Sequence, residues 1–426
     1  MQIFDIKEIS NNQEVPKVNF RPLKETESGI FFEKYVTSIE DSWVEGIFFY
    51  DKNLKELKKI EFGDSVNPFK EIIEIPGTYE DIVAMESMNS FYYAVIKEDK
   101  KEALIDIYKM ELDGFEQERV LSFSYDTEEF YYKGLELIND EYLIFGLGDE
   151  ETEPLATGEA DLAYLVDVNE RKIYEILDKR FIMTSGMRMV FKKDGEDYLM
   201  IEERYLEDEE KEQLLKDPEI ELAVSYPEEF GDDFVFRNSI NLISVSDFVK
   251  QIKEEKDKIE YEVVESIGEE GSIKVLGSTD QKIFYKKKTF SGPKDKFKTL
   301  FELRNQEKDL IYSIDIFNRE VKFERELSPY SILTFDKDKA YEIKDEMSKI
   351  QVLDFPSSEK IFTYKKKIKL HQESFYEING KCLFVLKTLM KSPKGPSFIE
   401  IIDMEDSGHK IIRENIFIVG NTLFLD

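Results

Sequence analysis

Eight times along the chain an apolar, strand-like run meets an aspartate and is followed by a second strand-like run. The aspartates are Asp5, Asp51, Asp113, Asp167, Asp247, Asp315, Asp354 and Asp403. Tyr164-Leu165-Val166-Asp167 and Gln351-Val352-Leu353-Asp354 show the pattern. Recurrence of this kind marks a repeat architecture, in which each unit buries its apolar face on the next. The aspartate has a local use: its carboxylate can accept from backbone amides two residues on and so open a turn. We therefore read the eight as turn markers and not as a ring of catalytic acids.

Two more strands precede each aspartate. Segments 331–335 and 340–343 form one such pair, 374–378 and 382–386 another, and 135–138 and 142–145 a third. Asn379-Gly380 and Asp336-Lys337-Asp338 supply short-hairpin turns. The strand after each aspartate alternates charge with apolar residues, as in 321–327 and 360–364, which suits a half-exposed outer strand. Each unit thus holds four strands. Residues 415–425 read as the first two strands of a unit and 1–9 as the last two.

On this strand order, the recurring aspartate and the complementary ends, the architecture resembles a β-propeller over nearly the whole chain. No Trp-Asp, diglycine or YWTD-like motif narrows it to one family. The resemblance implies an all-β fold: a single domain, 1–426, of seven or eight four-stranded blades. Eight is the count here, with the terminal strands closing one blade. An insertion at about 203–236 interrupts the fourth unit, with a short helix expected at 206–216. A second helix is expected from an N-cap at Ser246 to Lys258.

A hydrophobic content of 41% supports a folded core, and 33 Phe and 22 Tyr against a single Trp favour strands. The net charge of −33 opposes sequence-independent nucleic-acid binding and repels anionic membranes. Cys382 stands alone, so no internal disulfide can form. With no apolar run near the ~20 residues of a membrane span and no signal-like start, a cytoplasmic location is expected.

The chain holds only His371 and His409, which disfavours a histidine-rich metal site. Phosphate-binding glycine loops and the Gly-x-Ser-x-Gly elbow are absent. Spaced calcium-loop patterns are missing too, so no cofactor or metal is expected.

The insertions fall between the second and third strands. Segment 149–161 carries six acids and no base, and 202–233 carries 14 acids and three bases. A lysine-rich stretch follows in the fifth unit with Lys286, Lys287, Lys288, Lys294 and Lys296, and another in the seventh with Lys391 and Lys394. Together with Glu207, Asp208, Glu209 and Glu210 these are the candidate binding residues. A face charged both ways suits a charged protein or peptide partner. The leading expectation is a non-enzymatic interaction scaffold. Its alternative is a propeller hydrolase or lyase acting on carbohydrate through paired carboxylates.

Overall fold

The computed structural model describes residues 2–425 apart from 6–17, 61–71, 75–89, 150–161, 182–187, 206–236, 290–308, 366–373 and 388–397, and gaps of one to four residues between strands. Among the described residues the strands form eight small sheets in chain order. The first four-stranded set is β2 (Val18–Glu25), β3 (Gly29–Thr37), β4 (Ser42–Asp51) and β5 (Glu56–Ile60). The second is β6 (Ile72–Glu74), β7 (Ser90–Asp99), β8 (Glu102–Glu111) and β9 (Gln117–Asp126). Next come β10 (Phe130–Leu137), β11 (Tyr142–Asp149), β12 (Leu162–Asp167) and β13 (Lys172–Glu175). The fourth holds β14 (Arg188–Lys193), β15 (Glu196–Tyr205), β16 (Arg237–Ser244) and β17 (Glu262–Ile267). The fifth is β18 (Gly271–Ser278), β19 (Lys282–Thr289), β20 (Asp309–Asp315) and β21 (Val321–Leu327). Then come β22 (Ser331–Asp336), β23 (Lys339–Glu346), β24 (Lys349–Phe355) and β25 (Lys360–Lys365). The seventh is β26 (Ser374–Asn379), β27 (Cys382–Lys387), β28 (Phe398–Asp403) and β29 (His409–Ile412). A three-stranded sheet joins β1 (Gln2–Asp5) to β31 (Thr422–Leu425) and β30 (Ile416–Val419). There β1 runs parallel to β31, whereas consecutive strands such as β22 to β25 pair antiparallel.

The aspartates do the work their sequence context suggests. Asp51 Oδ1 accepts from the amides of Asn53 and Leu54 at 2.8 and 3.0 Å. Asp315 Oδ1 accepts from Phe317 and Asn318 at 2.9 and 3.0 Å. Asp167 and Asp403 make one such bond each, to Glu170 and Glu405, at 2.8 Å. Four residues beyond three of these aspartates the backbone turns left-handed, with φ of 53° at Arg171, 62° at Arg319 and 64° at Ser358. A bulge between third and fourth strands recurs at Ile107/Tyr108, Ile240/Asn241, Ile311/Tyr312 and Val352/Leu353, where it increases strand twist. Asp113 lies outside the described residues.

Asp247 differs from the others. It opens no hairpin but sits in the first turn of α1 (Val245–Lys253), the one helix among the described residues. The N-cap is Ser244, not Ser246: Ser244 is extended, with φ −67° and ψ 144°, and its hydroxyl accepts from Asp247 N at 3.1 Å. The helix ends at Lys253 rather than Lys258, and β17 begins at Glu262. The helix expected at 206–216 lies outside the described residues.

The chain divides into two compact units. One comprises Thr26–Ile273 and Thr289–Leu300. Its core includes the rings of Phe31, Phe49, Phe91 and Phe115, with centroids 4.8 to 5.8 Å apart. A second cluster there buries Phe248, Val249 and Ile252 of α1 against Phe181, Leu199 and Ile259. The other unit comprises Met1–Glu25, Lys274–Lys288 and Phe301–Asp426. A cluster there joins Tyr341, Ile343, Val352 and Phe362 to Leu383, Val385 and Ile402. No helix among the described residues is long and apolar enough to cross a membrane.

Candidate functional site

The lysine-rich stretch of the fifth sheet begins as strand. Lys286, Lys287 and Lys288 belong to β19, with Lys286 opposite Ile311 and Lys287 opposite Leu310. Lys286 and Lys287 are half-buried, and Lys287 Nζ lies 5.9 Å from the Tyr312 ring centroid. Lys294, Lys296, Lys391, Lys394, Glu207, Asp208, Glu209 and Glu210 lie outside the described residues. β11 ends at Asp149 and β12 begins at Leu162, while β15 ends at Tyr205 and β16 begins at Arg237, so of the insertion expected at 203–236 residues 203–205 are strand and the rest lies outside the described residues.

Six carboxylate clusters stand out instead, and their partners sort them. Asp106 is buried, with Ser122 Oγ at 2.6 Å, Lys97 at 3.4 Å and Arg119 at 3.6 Å. Glu324 is buried between Lys282 and Lys322, each at 3.0 Å, and accepts from Ser313 at 2.7 Å. Burial pushes the Glu324 carboxyl up, but the bonds from Ser313, Lys282 and Lys322 outweigh it and hold it below its usual value. Glu342, fully buried, accepts from Ser331 at 2.6 Å and pairs with Arg325, whose guanidinium lies 4.7 Å from the Phe355 ring centroid. Glu203 accepts from Asn241 Nδ2 at 2.8 Å.

Asp167 and Glu170 are the nearest approach to a carboxylate pair. Both are bonded to Lys253 Nζ, at 2.6 and 2.7 Å, and Glu170 also accepts from Tyr174 at 2.8 Å. Hydrogen bonds from Lys253 and then Tyr174 draw the Glu170 carboxyl down to about 2. A general acid must hold its proton near neutral pH, so Glu170 is suited to fastening and not to proton delivery.

Glu136 and Arg188 form the remaining charged pair of interest. Each lies on the first strand of its sheet, Glu136 on β10 and Arg188 on β14. Their side chains form an ion pair. Arg188 also donates to Phe181 O at 2.9 Å and stacks 4.3 Å from the Phe181 ring centroid. This is the arginine-on-phenylalanine device of Arg325 with one difference. Glu342 is wholly buried, while Glu136 is 29% exposed. One oxygen of Glu136 meets the guanidinium, and a carboxylate has lone pairs to spare for a further donor. The sequence carried a faint sign of it in Leu135-Glu136-Leu137, an acid between two residues that prove buried. No group of three or more metal-ligating side chains converges among the described residues.

No protein-family profile and no curated protein matches the chain. Several solved structures resemble it. Prolyl oligopeptidase B from Galerina marginata aligns at 9% identity and a TM-score of 0.49, over 92% of this chain and 50% of its own. An oligogalacturonate lyase, in complex with manganese, aligns at 12% identity and 0.43, over 92% of each chain. The β-propeller domain of the Trilobed protease from Pyrococcus furiosus aligns at 12% and 0.39, over 91% of this chain and 96% of its own. The chain thus spans about half the length of the oligopeptidase. The scaffold expectation is corrected here: the solved structures that resemble the chain are named as two peptidases and a lyase, and none of them as a scaffold. The lysine run that was to serve as an exposed loop is, at Lys286 to Lys288, a paired strand.

Proposed function

We propose that the chain is a β-propeller enzyme of hydrolase or lyase type acting on carbohydrate, with Glu136 as its proton acceptor. In this reading the eight sheets are blades of a closed ring, and β1 on β31 makes the closure. The first strands then surround the axis, where propellers and barrels commonly hold ligands. The observation that carries the reading is the Glu136–Arg188 pair: a first-strand carboxylate fixed by a cation yet open to solvent. A carboxylate in that position can take a proton from a bound hydroxyl, a water or a carbon acid. Arg188 keeps it in place, and Phe181 keeps Arg188 in place. The candidate lysines and the acidic run at Glu207 to Glu210 have no catalytic part in it.

The test is turnover of a panel of neutral and acidic polysaccharides, followed by reducing-end release and by ultraviolet absorbance of unsaturated products. Glu136→Gln should lower kcat about a hundredfold or more and leave the circular dichroism spectrum unchanged. Undiminished turnover in a folded Glu136→Gln protein, or no turnover of any substrate by the parent, would sink the reading.

A further inference from the structure

The third and fourth sheets lie in one compact unit and pack through Ile144, Ala163 and Leu165 on one side and Leu199, Ile201 and Ile243 on the other. Residues opposed across antiparallel strands share a face. Glu136 stands opposite Ile144, and Gly146 opposite Ala163, so both belong to the face of the third sheet that meets the fourth. Gly134 stands opposite Gly146 and completes that row. On the fourth sheet Arg188 and Asn241 flank Ile201 in one row, and Glu203 is opposite Ser239 in the next. The layer between the sheets thus continues inward from the Glu136–Arg188 pair and turns polar on one side and small on the other.

Two polar atoms of this layer are left over. Asn241 is wholly buried; its Nδ2 donates to Glu203 and Ser239 at 2.8 and 2.9 Å, while its Oδ1 has no hydrogen-bond partner. Arg188 Nε, buried in the same row, has none either. Buried polar atoms are almost always bonded, so one unmet acceptor and one unmet donor call for a group that both donates and accepts. A hydroxyl does so. The opposed glycines, both partly open to solvent, place no side chain over this row. Glycine inside a strand weakens it and marks close approach by something else.

We infer that this layer seats a neutral, hydroxyl-rich sugar ring, laid on Gly134 and Gly146 with one hydroxyl donating to Asn241 Oδ1. The inference rests on the reading of Glu136 given above and narrows its substrate. A uronate fits worse: its carboxylate only accepts, it is repelled by Asn241 Oδ1 and Glu136, and the charge of Arg188 is already matched by Glu136.

The test is calorimetric titration of the full chain, and of its Glu136→Gln variant, with hexasaccharides of glucose, mannose, galactose and xylose and with hexagalacturonate. At least one neutral hexasaccharide should bind, and hexagalacturonate should not. Asn241→Ala should weaken that binding about tenfold, and Gly146→Val should abolish it. Binding of hexagalacturonate alone, no binding at all, or neutral binding that both variants leave intact overturns the inference; in the last case a buried water serves Asn241. Should one variant fail to fold by circular dichroism, the other decides. Neutral binding without turnover by the parent leaves this site standing and sinks the enzymatic reading. Turnover of hexagalacturonate that Glu136→Gln abolishes does the reverse.

Discussion

Lys253 Nζ lies 2.6 Å from Asp167 Oδ2, so the last turn of α1 is tied to the turn between β12 and β13, in a different sheet. The same ammonium reaches Glu170 at 2.7 Å and sits 5.2 Å from the Tyr174 ring centroid. Burial pulls the Lys253 ammonium down, but the bonds to Asp167 and Glu170 outweigh it and hold it above its usual value. The helix thereby acts as a strut: its apolar face fills the core beside Phe181, and its C-terminus is pinned by charge.

This strut sets a pH dependence whose sign can be worked out. Glu170 has its carboxyl drawn from an ordinary 4.5 to about 2 in the folded chain. Its stabilising contribution is complete above 4.5 and is lost as pH falls toward 2. Lys253→Met should flatten the fall in unfolding midpoint across that window, and it should lower stability at neutral pH because Asp167 is left buried without its cation. Urea unfolding followed from pH 6 down to about 2.5 checks both; parallel curves for parent and variant would refute the strut.

A second prediction concerns Arg325. It is one of two cations on the fully buried Glu342, with Lys344 at 3.5 Å as the other. Burial pushes the Glu342 carboxyl up, but Ser331 and Arg325 more than offset this and hold it below its usual value. Arg325→Met should cost about 3 kcal/mol in denaturant unfolding, since it leaves a buried charge short of a partner. Adding Glu342→Gln should recover part of that loss, because the amide needs no counter-charge. A double variant no more stable than Arg325→Met would place the loss in packing on Phe355 instead.

How far these features could be read in advance depends on the distance over which they act. Strand positions follow from alternation between neighbours, so β21 at Val321–Leu327 and the pair β22 and β23 stand where the pattern puts them. Asp51 and Asp315 act on amides two and three residues away, and their role was equally visible. Ser244 and Ser246 compete for one cap, and the sequence alone does not decide between them. Glu196 engages the Ser246 hydroxyl at 2.7 Å, leaving Ser244 to the helix. Glu136 with Arg188, and Asp167 with Lys253, are 52 and 86 residues apart, and the local pattern around one member does not point to the other. The lysine run was read as part of a connection, whereas Lys286 and Lys287 are half-buried members of β19.

The cap itself yields a third prediction. Ser244→Ala removes the acceptor of the Asp247 amide and should destabilise by about 1 kcal/mol. Ser246→Ala should cost less, because it removes a bond to Glu196 on the exposed side. Thermal unfolding of the two variants ranks them directly. The reverse order would return the cap to Ser246.

Gly277 supplies the last test, through close approach as well as backbone. Its φ is +148°, and a Cβ there would lie 2.5 Å from Phe335 Cδ2 and 2.6 Å from Cε2. That ring is itself 5.5 Å from Phe284, in the cluster that also buries Ile311 and Phe355. A methyl group at 277 must therefore displace a packed ring and hold an unfavourable φ at once. Gly277→Ala should cost about 2 kcal/mol, the combined scale of overpacking and backbone strain. Combining it with Phe335→Leu separates the two. If the ring is the obstacle, the double variant loses less than the sum of the single ones. If the backbone is, the losses add. A Gly277→Ala protein as stable as the parent would mean that neither contact constrains β18.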